Sequence, residues 1–274
     1  KKAAQDAGIA VPKLLGVIEG NWQLKKLAQQ LEQWEQFVIK PTRGRGGKGI
    51  LVITGRDFDY FIKSNGSKLE MNQLRRHINN VLSGLHSLGG KPDKVMIEAL
   101  INYDDVFTDF TYEGVPDIRV IVFRGFPVMA MLRCSTHASD GRANLHQGAI
   151  GVGVDITTGR SLLAVQHNHP VSVHPDTGKS FAELAIPYWN TILELAANCF
   201  EMTGLGYLGC DIVLDRNQGP VILELNARPG LAIQIANGLG LAGRLDWVEA
   251  LPPEAFEMTP AKRVAYAQAQ LAAR

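Results

Sequence analysis

Two isolated acidic residues lie within strongly apolar, strand-like runs of residues 210–230, which read CDIVLDRNQGPVILELNARPG. Asp211 stands in the first run and Glu224 in the second, on either side of a polar turn. If the runs pair as an antiparallel hairpin closed around residues 215–220, the two acids face each other. Directly opposed residues on such a pair have Cβ atoms about 5 Å apart.

Two ionised carboxylates at this separation repel each other, and a hard divalent cation such as Mg²⁺ removes the conflict. Asn226 lies on the same strand face as Glu224, because side chains alternate with period two, so its amide oxygen can join the same ion. This register also pairs Leu214 with Val221, and a one-residue slip would spoil it. The alternative is an exposed hairpin whose acids meet solvent or lysines. The isolation of both acids in apolar runs favours the metal site.

A glycine-rich, cationic segment, TRGRGGKG, follows the apolar run that ends with Lys40-Pro41. Its glycines leave backbone N–H groups free to approach phosphate oxygens. They are Gly44, Gly46, Gly47 and Gly49, interleaved with Arg43, Arg45 and Lys48. The segment is neither a Walker A loop nor a G-x-G-x-x-G motif, and taken alone a surface turn explains it equally well. The predicted metal site on the hairpin of residues 210–230 favours phosphate binding by this segment, because nucleotide phosphates need both a divalent cation and a loop that contacts them.

Several arginines accompany apolar runs in the middle of the chain. Asp117 and Arg119 share one face of a predicted strand, and Arg133 ends the returning strand. The next loop, SDGRANLHQGA, carries Arg142, Asn144 and His146. Cations gathered near a phosphate stabilise the charge that develops during phosphoryl transfer. The alternative is a set of surface arginines paired with nearby acids.

Three histidines follow within QHNHPVSVHPDTG: His167, His169 and His174. The H-x-H spacing is compatible with zinc on a strand, but no cysteine accompanies it. A structural or substrate-contacting hairpin is the favoured interpretation.

The arrangement of predicted elements indicates an α+β protein. Strands joined mostly as hairpins mix with helices and show no regular βαβ alternation. Helical spacing covers residues 23–33, 70–88 and 181–203, and a last helix starts at Thr259-Pro260. Strand-like runs cover residues 37–41, 50–54 and 94–100, and hairpins are predicted over 117–134 and 154–165.

Composition excludes several classes of protein. The net charge of +1 over 274 residues lacks the excess of positive charge that is typical of nucleic-acid-binding proteins. No apolar run approaches the roughly 20 residues that span a membrane. The three cysteines are scattered in apolar sequence, which is typical of reduced thiols in a cytoplasmic protein. KKAAQDAGIAVP at the start resembles the tail of a helix, so we expect an N-terminal piece to be absent.

Taken in order, the motifs resemble those of ATP-grasp enzymes. The set comprises Lys40 with its glycine loop, VMIEAL, DIR, GRANLH, GCDIVL and ILELNARPG. They are most similar to the RimK-type α-L-glutamate ligases, from about residue 38 to residue 240.

The resemblance implies an ATP-grasp fold in which two α+β subdomains clamp ATP, with the N-terminal pre-grasp domain missing or truncated. It implies subdomains at 1–95 and 96–245, followed by a C-terminal helical tail at 246–274. It also implies ATP and Mg²⁺ as cofactors, usually two ions, with Mn²⁺ as an alternative. The implied metal ligands are Asp211, Glu224 and Asn226.

The resemblance also assigns the remaining site residues. The implied nucleotide-binding set is Lys40, Gly44, Gly46, Gly47, Lys48, the Glu98-Ala99 hinge at adenine, Asp117 at the ribose, Arg142 and Asn144. By position Arg133 resembles the arginine that steadies the reaction intermediate, and Arg119 and Arg228 complete the predicted catalytic set. Asp105 competes with Asp117 for the ribose, because the segment before Asp117 is longer than in the RimK group. Arg228 stands where that group has a small residue; the alternatives for it are contact with a substrate carboxylate or the acyl phosphate, and capping of the following helix.

We therefore predict an ATP-dependent, ADP-forming carboxylate–amine ligase that works through an acyl phosphate. Its partners would be a small-molecule or peptide carboxylate and an amino-acid amine such as glutamate, with no nucleic acid and no membrane. A non-ligating ATP-binding module and a phosphotransferase with a non-carboxylate acceptor are the alternatives. The acceptor, the oligomeric state (a homo-oligomer included) and activity without the N-terminal segment stay open.

Overall fold

The computed structural model describes residues 1–44 and 47–272, which form two β-sheets and their covering helices. The strands are β1 (Leu14–Ile18), β2 (Phe37–Pro41), β3 (Leu51–Asp57), β4 (Tyr60–Lys63), β5 (Lys68–Glu70), β6 (Val95–Glu98), β7 (Asp117–Phe123), β8 (Phe126–Cys134), β9 (Ile150–Val154), β10 (Ser161–Gln166), β11 (His169–Val171), β12 (Tyr207–Asp215) and β13 (Gly219–Asn226). The helices are α1 (Lys2–Asp6), α2 (Leu27–Leu31), α3 (Met71–Leu82), α4 (Trp189–Thr203), α5 (Ile233–Asn237), α6 (Ala242–Glu249), α7 (Pro253–Phe256) and α8 (Pro260–Leu271). The α+β class predicted from the hairpin-rich sequence is confirmed.

The chain divides into two compact units. The smaller is Pro12–Ile101, and the larger joins Lys1–Val11 to Asn102–Arg274. Residues 96–101 thus belong to the smaller unit, although the resemblance implied that the second subdomain starts at residue 96. Residues 246–274 belong to the larger unit and supply α7, α8 and the second half of α6.

The smaller unit is a six-stranded sheet in the order β1-β6-β2-β3-β4-β5. Its core contains Ile39, Ile53 and Ile78, all fully buried, with Ile78 on the apolar face of α3. The predicted helix 70–88 ends six residues early, at Leu82. Gly84 adopts a φ of +89° against the Lys91 carbonyl, a backbone conformation that ends the helix.

The larger unit is a seven-stranded sheet in the order β11-β10-β9-β8-β7-β12-β13, so β7 lies between β8 and β12. The helix predicted over 181–203 starts only at Trp189, because Tyr188 takes a left-handed φ of +56° directly after Pro187. It ends at the predicted Gly204, whose φ is +64°.

In the smaller unit, the predicted helix 23–33 is a 3₁₀ segment, Asn21–Lys26, followed by the short α2.

The β12–β13 hairpin has the predicted pairing of Asp211 with Glu224. The predicted pairing of Leu214 with Val221 is wrong, since Leu214 pairs with Pro220 instead. A β-bulge between Asp211 and Ile212 shifts the register by one residue. The bulge therefore changes the pairing toward the turn and leaves the two acids opposed.

In residues 1–44 and 47–272, no helix is both long enough and apolar enough to cross a membrane.

Candidate functional site

Asp211 is the centre of a network of charged side chains on the larger sheet. Its carboxylate is almost fully buried and accepts two hydrogen bonds from Arg119, from Nε to Oδ1 at 2.7 Å and from Nη2 to Oδ2 at 2.7 Å. Arg133 Nη2 donates to the same Oδ2 at 2.9 Å. The register explains this geometry, because Arg119 of β7 is the cross-strand partner of Asp211.

Arg133 also holds a second buried acid. Its Nε donates to Asp117 Oδ1 at 2.6 Å, and the two residues are cross-strand partners on β7 and β8. The pKa of Asp117 is raised to about 6, chiefly because the carboxyl is buried; the charge of Asp211 also raises it, and Arg133 opposes the rise. The Asp117 carboxylate is thus already engaged, and its predicted contact with ribose stays a prediction. The competing Asp105 is exposed and forms an ion pair with Arg216.

The three predicted metal ligands come together on β12 and β13. Glu224 is the cross-strand partner of Asp211, and Asn226 donates from Nδ2 to Asp211 Oδ2 at 3.2 Å. Two carboxylates and an amide supply the oxygen ligands that Mg²⁺ prefers, so the donor set fits such an ion chemically. Asp211 Oδ2 accepts three N–H groups and Oδ1 only one, so Oδ1 has more acceptor capacity left.

Arg228 follows β13 in an exposed segment that packs closely on β12 through Pro229. A Cβ atom added to Gly209 would lie 2.7 Å from Pro229 Cβ. The missing side chain of Gly209 therefore permits the approach of the segment that carries Arg228.

In the smaller unit, Lys40 is tied to Glu98. Its Nζ lies 2.7 Å from Glu98 Oε2, and Glu98 is only 1% exposed. The Ala99 amide, predicted to form part of the adenine hinge, donates to the Lys13 carbonyl at 2.9 Å. Lys40 pairs with Met96 on β6, which places its side chain on the sheet beside the hinge strand.

The glycine-rich loop is anchored at its start by Asp93. This nearly buried carboxylate accepts hydrogen bonds from Thr42 Oγ1, the Arg43 amide at 2.9 Å and Ser87 Oγ at 2.6 Å. Gly44 forms a β-bridge with Ser87. The other end of the loop is held by His77, whose Nε2 lies 3.0 Å from the Gly49 carbonyl.

Within this loop, Gly47 adopts a φ of +75° and Lys48 is exposed. The predicted phosphate ligand Gly46, like Arg45, lies outside the described residues. Burial lowers the pKa of His77, and the nearby His86 lowers it further, against the opposing hydrogen bond to Gly49.

The loop 135–148 presents Arg142 to solvent. Arg142 is 63% exposed and lies 3.5 Å from the Asp140 carboxylate. Asn144 uses its side-chain oxygen to accept the His146 amide at 3.1 Å, which caps a short 3₁₀ turn. Both residues are therefore placed on one short loop, although their predicted contacts with nucleotide stay predictions.

The three histidines of residues 167–174 lie in different environments. His167 lies in the β10–β11 turn and His169 on β11, both exposed, whereas His174 is completely buried. Over the part of the chain that the structure describes, no three His, Cys, Asp or Glu side chains gather in a metal-binding group. The Asp211 set, with two carboxylates and one amide, is not a group of that type. The zinc alternative is thus unsupported for the histidines.

Sequence reasoning missed the residues that hold the site's loops. Asp93 and His77 belong to no motif, and the GCDIVL motif gives no sign of the packing role of its first residue, Gly209; only the three-dimensional partners reveal these roles. Asp93 precedes β6 in the dipeptide Pro92-Asp93, a common turn sequence that gave no reason to select it.

A family model described as "Sugar-transfer associated ATP-grasp" matches residues 1–250. The chain therefore belongs to this family of the ATP-grasp superfamily, which confirms the superfamily expected from the motifs.

Among curated relatives, a "Probable alpha-L-glutamate ligase" from Maridesulfovibrio salexigens is 30% identical over 215 residues, which cover 78% of this chain and 50% of the relative. A "Ribosomal protein bS6--L-glutamate ligase" from Salmonella newport is 29% identical over 135 residues, 48% of this chain and 34% of the relative. The match thus spans half or less of the length of these relatives.

Solved structures similar to this chain include two ligases. One is the ATP-grasp ligase PsnB complexed with a phosphomimetic variant of its minimal precursor, Mg and ADP, with a TM-score of 0.46 and 15% identity over 91% of this chain and 55% of that one. The other is the D-alanine–D-alanine ligase from Coxiella burnetii, with a TM-score of 0.46 and 13% identity over 98% of this chain and 56% of that one.

Proposed function

We propose that this protein is an ATP- and Mg²⁺-dependent carboxylate–amine ligase that forms an acyl-phosphate intermediate. The observation that carries the proposal is the set of charged cross-strand partners on four neighbouring strands. Arg133 of β8 pairs with Asp117 of β7, and Asp211 of β12 lies between Arg119 of β7 and Glu224 of β13. Membership of the ATP-grasp family supports the use of ATP.

The acids and the arginines have different roles in this proposal. Asp211, Glu224 and Asn226 would hold Mg²⁺, which when bound neutralises charge on the ATP phosphates and orients them. Arg119 and Arg133 are pre-placed beside Asp211 by their hydrogen bonds. Their guanidinium groups match a phosphoryl group geometrically and stabilise the negative charge that spreads over its oxygens during transfer.

The reaction then proceeds in two steps. An acceptor carboxylate oxygen attacks the γ-phosphorus of ATP, the bond to the β-phosphate oxygen breaks, and ADP leaves. An amine nitrogen next attacks the carbonyl carbon of the acyl phosphate and loses a proton, and inorganic phosphate leaves with the bonding electrons. Lys40 in the smaller unit would contact the ATP phosphates, and the exposed Arg228 would contact the acceptor carboxylate or the acyl phosphate.

Two isosteric substitutions test the proposal. Asp211→Asn and Glu224→Gln keep the side-chain size but remove the negative charges that hold the cation. We expect each to reduce acid- and amine-dependent ADP release by at least about 100-fold, as loss of a principal electrostatic group does in other enzymes. Glu249→Gln, on an exposed residue at the end of α6, is the matched control and should retain full activity.

The products separate the proposal from its alternatives. The ligase hypothesis requires ADP and phosphate in equal amounts, together with an amide product found by mass spectrometry. Nucleotide binding by calorimetry with no turnover over a panel of acids and amines would instead favour the non-ligating module. A phosphorylated product would favour the phosphotransferase. Full turnover in both Asp211→Asn and Glu224→Gln would exclude the proposed metal ligands.

A further inference from the structure

His174 lies where two loops of the larger unit meet. It is completely buried, and its Nε2 is 3.0 Å from the carbonyl oxygen of Ser135, at the start of the loop 135–148. Its Nδ1 lies 3.3 Å from the Asp176 amide nitrogen. Because a carbonyl can only accept and an amide N–H can only donate, Nε2 is placed to donate to Ser135 and Nδ1 to accept from the Asp176 amide.

Two further side chains tie the same region to the loop 135–148. The Asp176 carboxylate accepts the backbone N–H of His137 at 2.8 Å. At the other end of that loop, Gln166 Nε2 donates to the Gly148 carbonyl at 2.8 Å. The residues of β10 and of the loop 172–181 thus hold both ends of the loop 135–148.

The loop 172–181 is itself rigidly held. A β-bridge joins Val173 to Ser180, and the Phe181 ring stacks on Phe110 with centroids 6.1 Å apart. Thr177 Oγ1 donates to the Asp109 carbonyl at 2.6 Å. His174 therefore connects the loop 135–148 to a fixed support.

We infer that His174 is a positioning residue for the loop 135–148: it fixes the backbone that presents Arg142 and Asn144. The inference rests on the proposed function and on the nucleotide contacts that the resemblance implies for Arg142 and Asn144. The side chains of Arg142 and Asn144 make contacts within their own loop, with Asp140 and with the His146 amide, so the backbone of the loop sets where they are presented. Holding a cationic side chain in place before ligand arrives lowers the entropy cost of binding.

Three variants test this role. His174→Ala removes both hydrogen bonds, whereas His174→Gln can place an amide N–H close to the position of Nε2 and restore the bond to Ser135. His169→Ala, at an exposed histidine on β11, is the matched control. The measurements are hydrogen exchange of peptides covering residues 136–149 and the KM for MgATP.

For His174→Ala we expect about five- to tenfold faster exchange over residues 136–149, the effect of losing a buried hydrogen bond, with unchanged exchange in β12 and β13. The KM for MgATP should rise by a similar factor while kcat changes less than about twofold, because the reacting groups lie elsewhere. His174→Gln should recover most of both effects, and His169→Ala should show neither.

The exchange data stand independently of the proposed function. Wild-type exchange over residues 136–149 in His174→Ala would overturn the positioning role. A uniform rise in exchange over the whole larger unit would overturn it too, since that result indicates a general structural role. If His174→Ala speeds exchange over residues 136–149 but the protein binds no nucleotide, the result would support the role of His174 in holding the loop. It would contradict the proposed function instead.

Discussion

Three of the cations proposed to contact phosphate are paired with a buried carboxylate in this structure. Lys40 pairs with Glu98, and Arg119 and Arg133 pair with Asp211. Such pairs hold a long side chain in a single position, but bound phosphate must compete with the carboxylate for the cation. Removing one member of a buried pair is also costly to stability, so activity and folding must be measured separately for every variant here.

The Lys40–Glu98 pair gives the first prediction. Lys40→Met takes the ammonium away from a carboxylate that is 1% exposed, and should lower the free energy of unfolding by about 3 kcal/mol. The double variant Lys40→Met/Glu98→Gln should recover more than half of this loss, because the buried negative charge is gone as well. Denaturant unfolding of the two single variants and the double variant measures the coupling. Lys48→Met, at an exposed loop residue, is the control and should change stability by less than about 0.5 kcal/mol. Strictly additive effects of Lys40→Met and Glu98→Gln in the double variant would contradict the pairing.

At the scale of elements, the glycine-rich loop depends on Asp93 and its hydrogen bonds. Burial raises the pKa of Asp93, but bonds from Ser87, Thr42 and the Arg43 and Lys94 amides outweigh it, so the net pKa lies below its usual value. An acid with a lowered pKa in the folded state stabilises the protein above its unfolded pKa of about 4, and this stabilisation is lost as the pH falls through the folded pKa.

Asp93→Asn should therefore reduce stability by about 1–3 kcal/mol near neutral pH, because it removes charge-assisted hydrogen bonds. The difference from wild type should be constant from about pH 5 to 8 and shrink below about pH 4, where Asp93 becomes protonated. Thermal unfolding over this pH range measures it. Asp59→Asn, in the exposed β3–β4 turn, serves as the control. A difference that does not depend on pH would show that the lost contribution is not the carboxylate's charge.

The contact between β12 and the segment after β13 depends on a glycine. Gly209→Ala places a methyl group 2.7 Å from the rigid Pro229 ring, so the segment carrying Arg228 must move. We expect a loss of about 1–3 kcal/mol from overpacking. Gly206→Ala is the matched control, because a Cβ there meets nothing within 4 Å and its φ is not positive. Equal stability of the two variants in denaturant unfolding would disprove the close approach.

The same hairpin shows how far the sequence predicts this site. The opposition of Asp211 and Glu224 followed from alternation and turn position, although the bulge after Asp211 could not be read from apolar residues alone. The Asp117–Arg133 pair lies within the predicted 117–134 hairpin, but the ion pairs of Asp211 were beyond prediction, because they depend on the strand order. Asp117 and Arg119 share a face of β7, but β8 lies on one side and β12 on the other, so Asp117 meets Arg133 and Arg119 meets Asp211.

Helix ends show a second limit of the sequence. Apolar spacing predicted α3 and α4 correctly but extended both too far, because spacing does not report backbone torsions. Left-handed residues at Gly84 and Tyr188 interrupt the patterns. Tyrosine rarely adopts this conformation, so only its surroundings in the fold account for it at Tyr188.

At the scale of the whole molecule, the described residues form two hydrophobic cores that share no member. One core lies entirely within Pro12–Ile101, and the other draws on residues 4–11 and 107–271. A hydrophobic core of its own is the property that lets a unit fold as a cooperative element. The residues proposed to bind nucleotide are carried by both units, with Lys40 in one and Asp211 in the other.

We expect thermal unfolding of the free protein to show two transitions, each assignable by a core substitution. Ile78→Ala on α3 and Ile192→Ala on α4 each truncate a fully buried side chain, and each should cost about 2–5 kcal/mol. Differential scanning calorimetry should show Ile78→Ala lowering the midpoint of one transition and Ile192→Ala that of the other, so each variant is the control for its counterpart. Because the cores have no residue in common, neither substitution should move both midpoints. If both variants lower the midpoint of a single shared transition by the same amount, the two units unfold as one cooperative body and their separate cores do not confer separate stability.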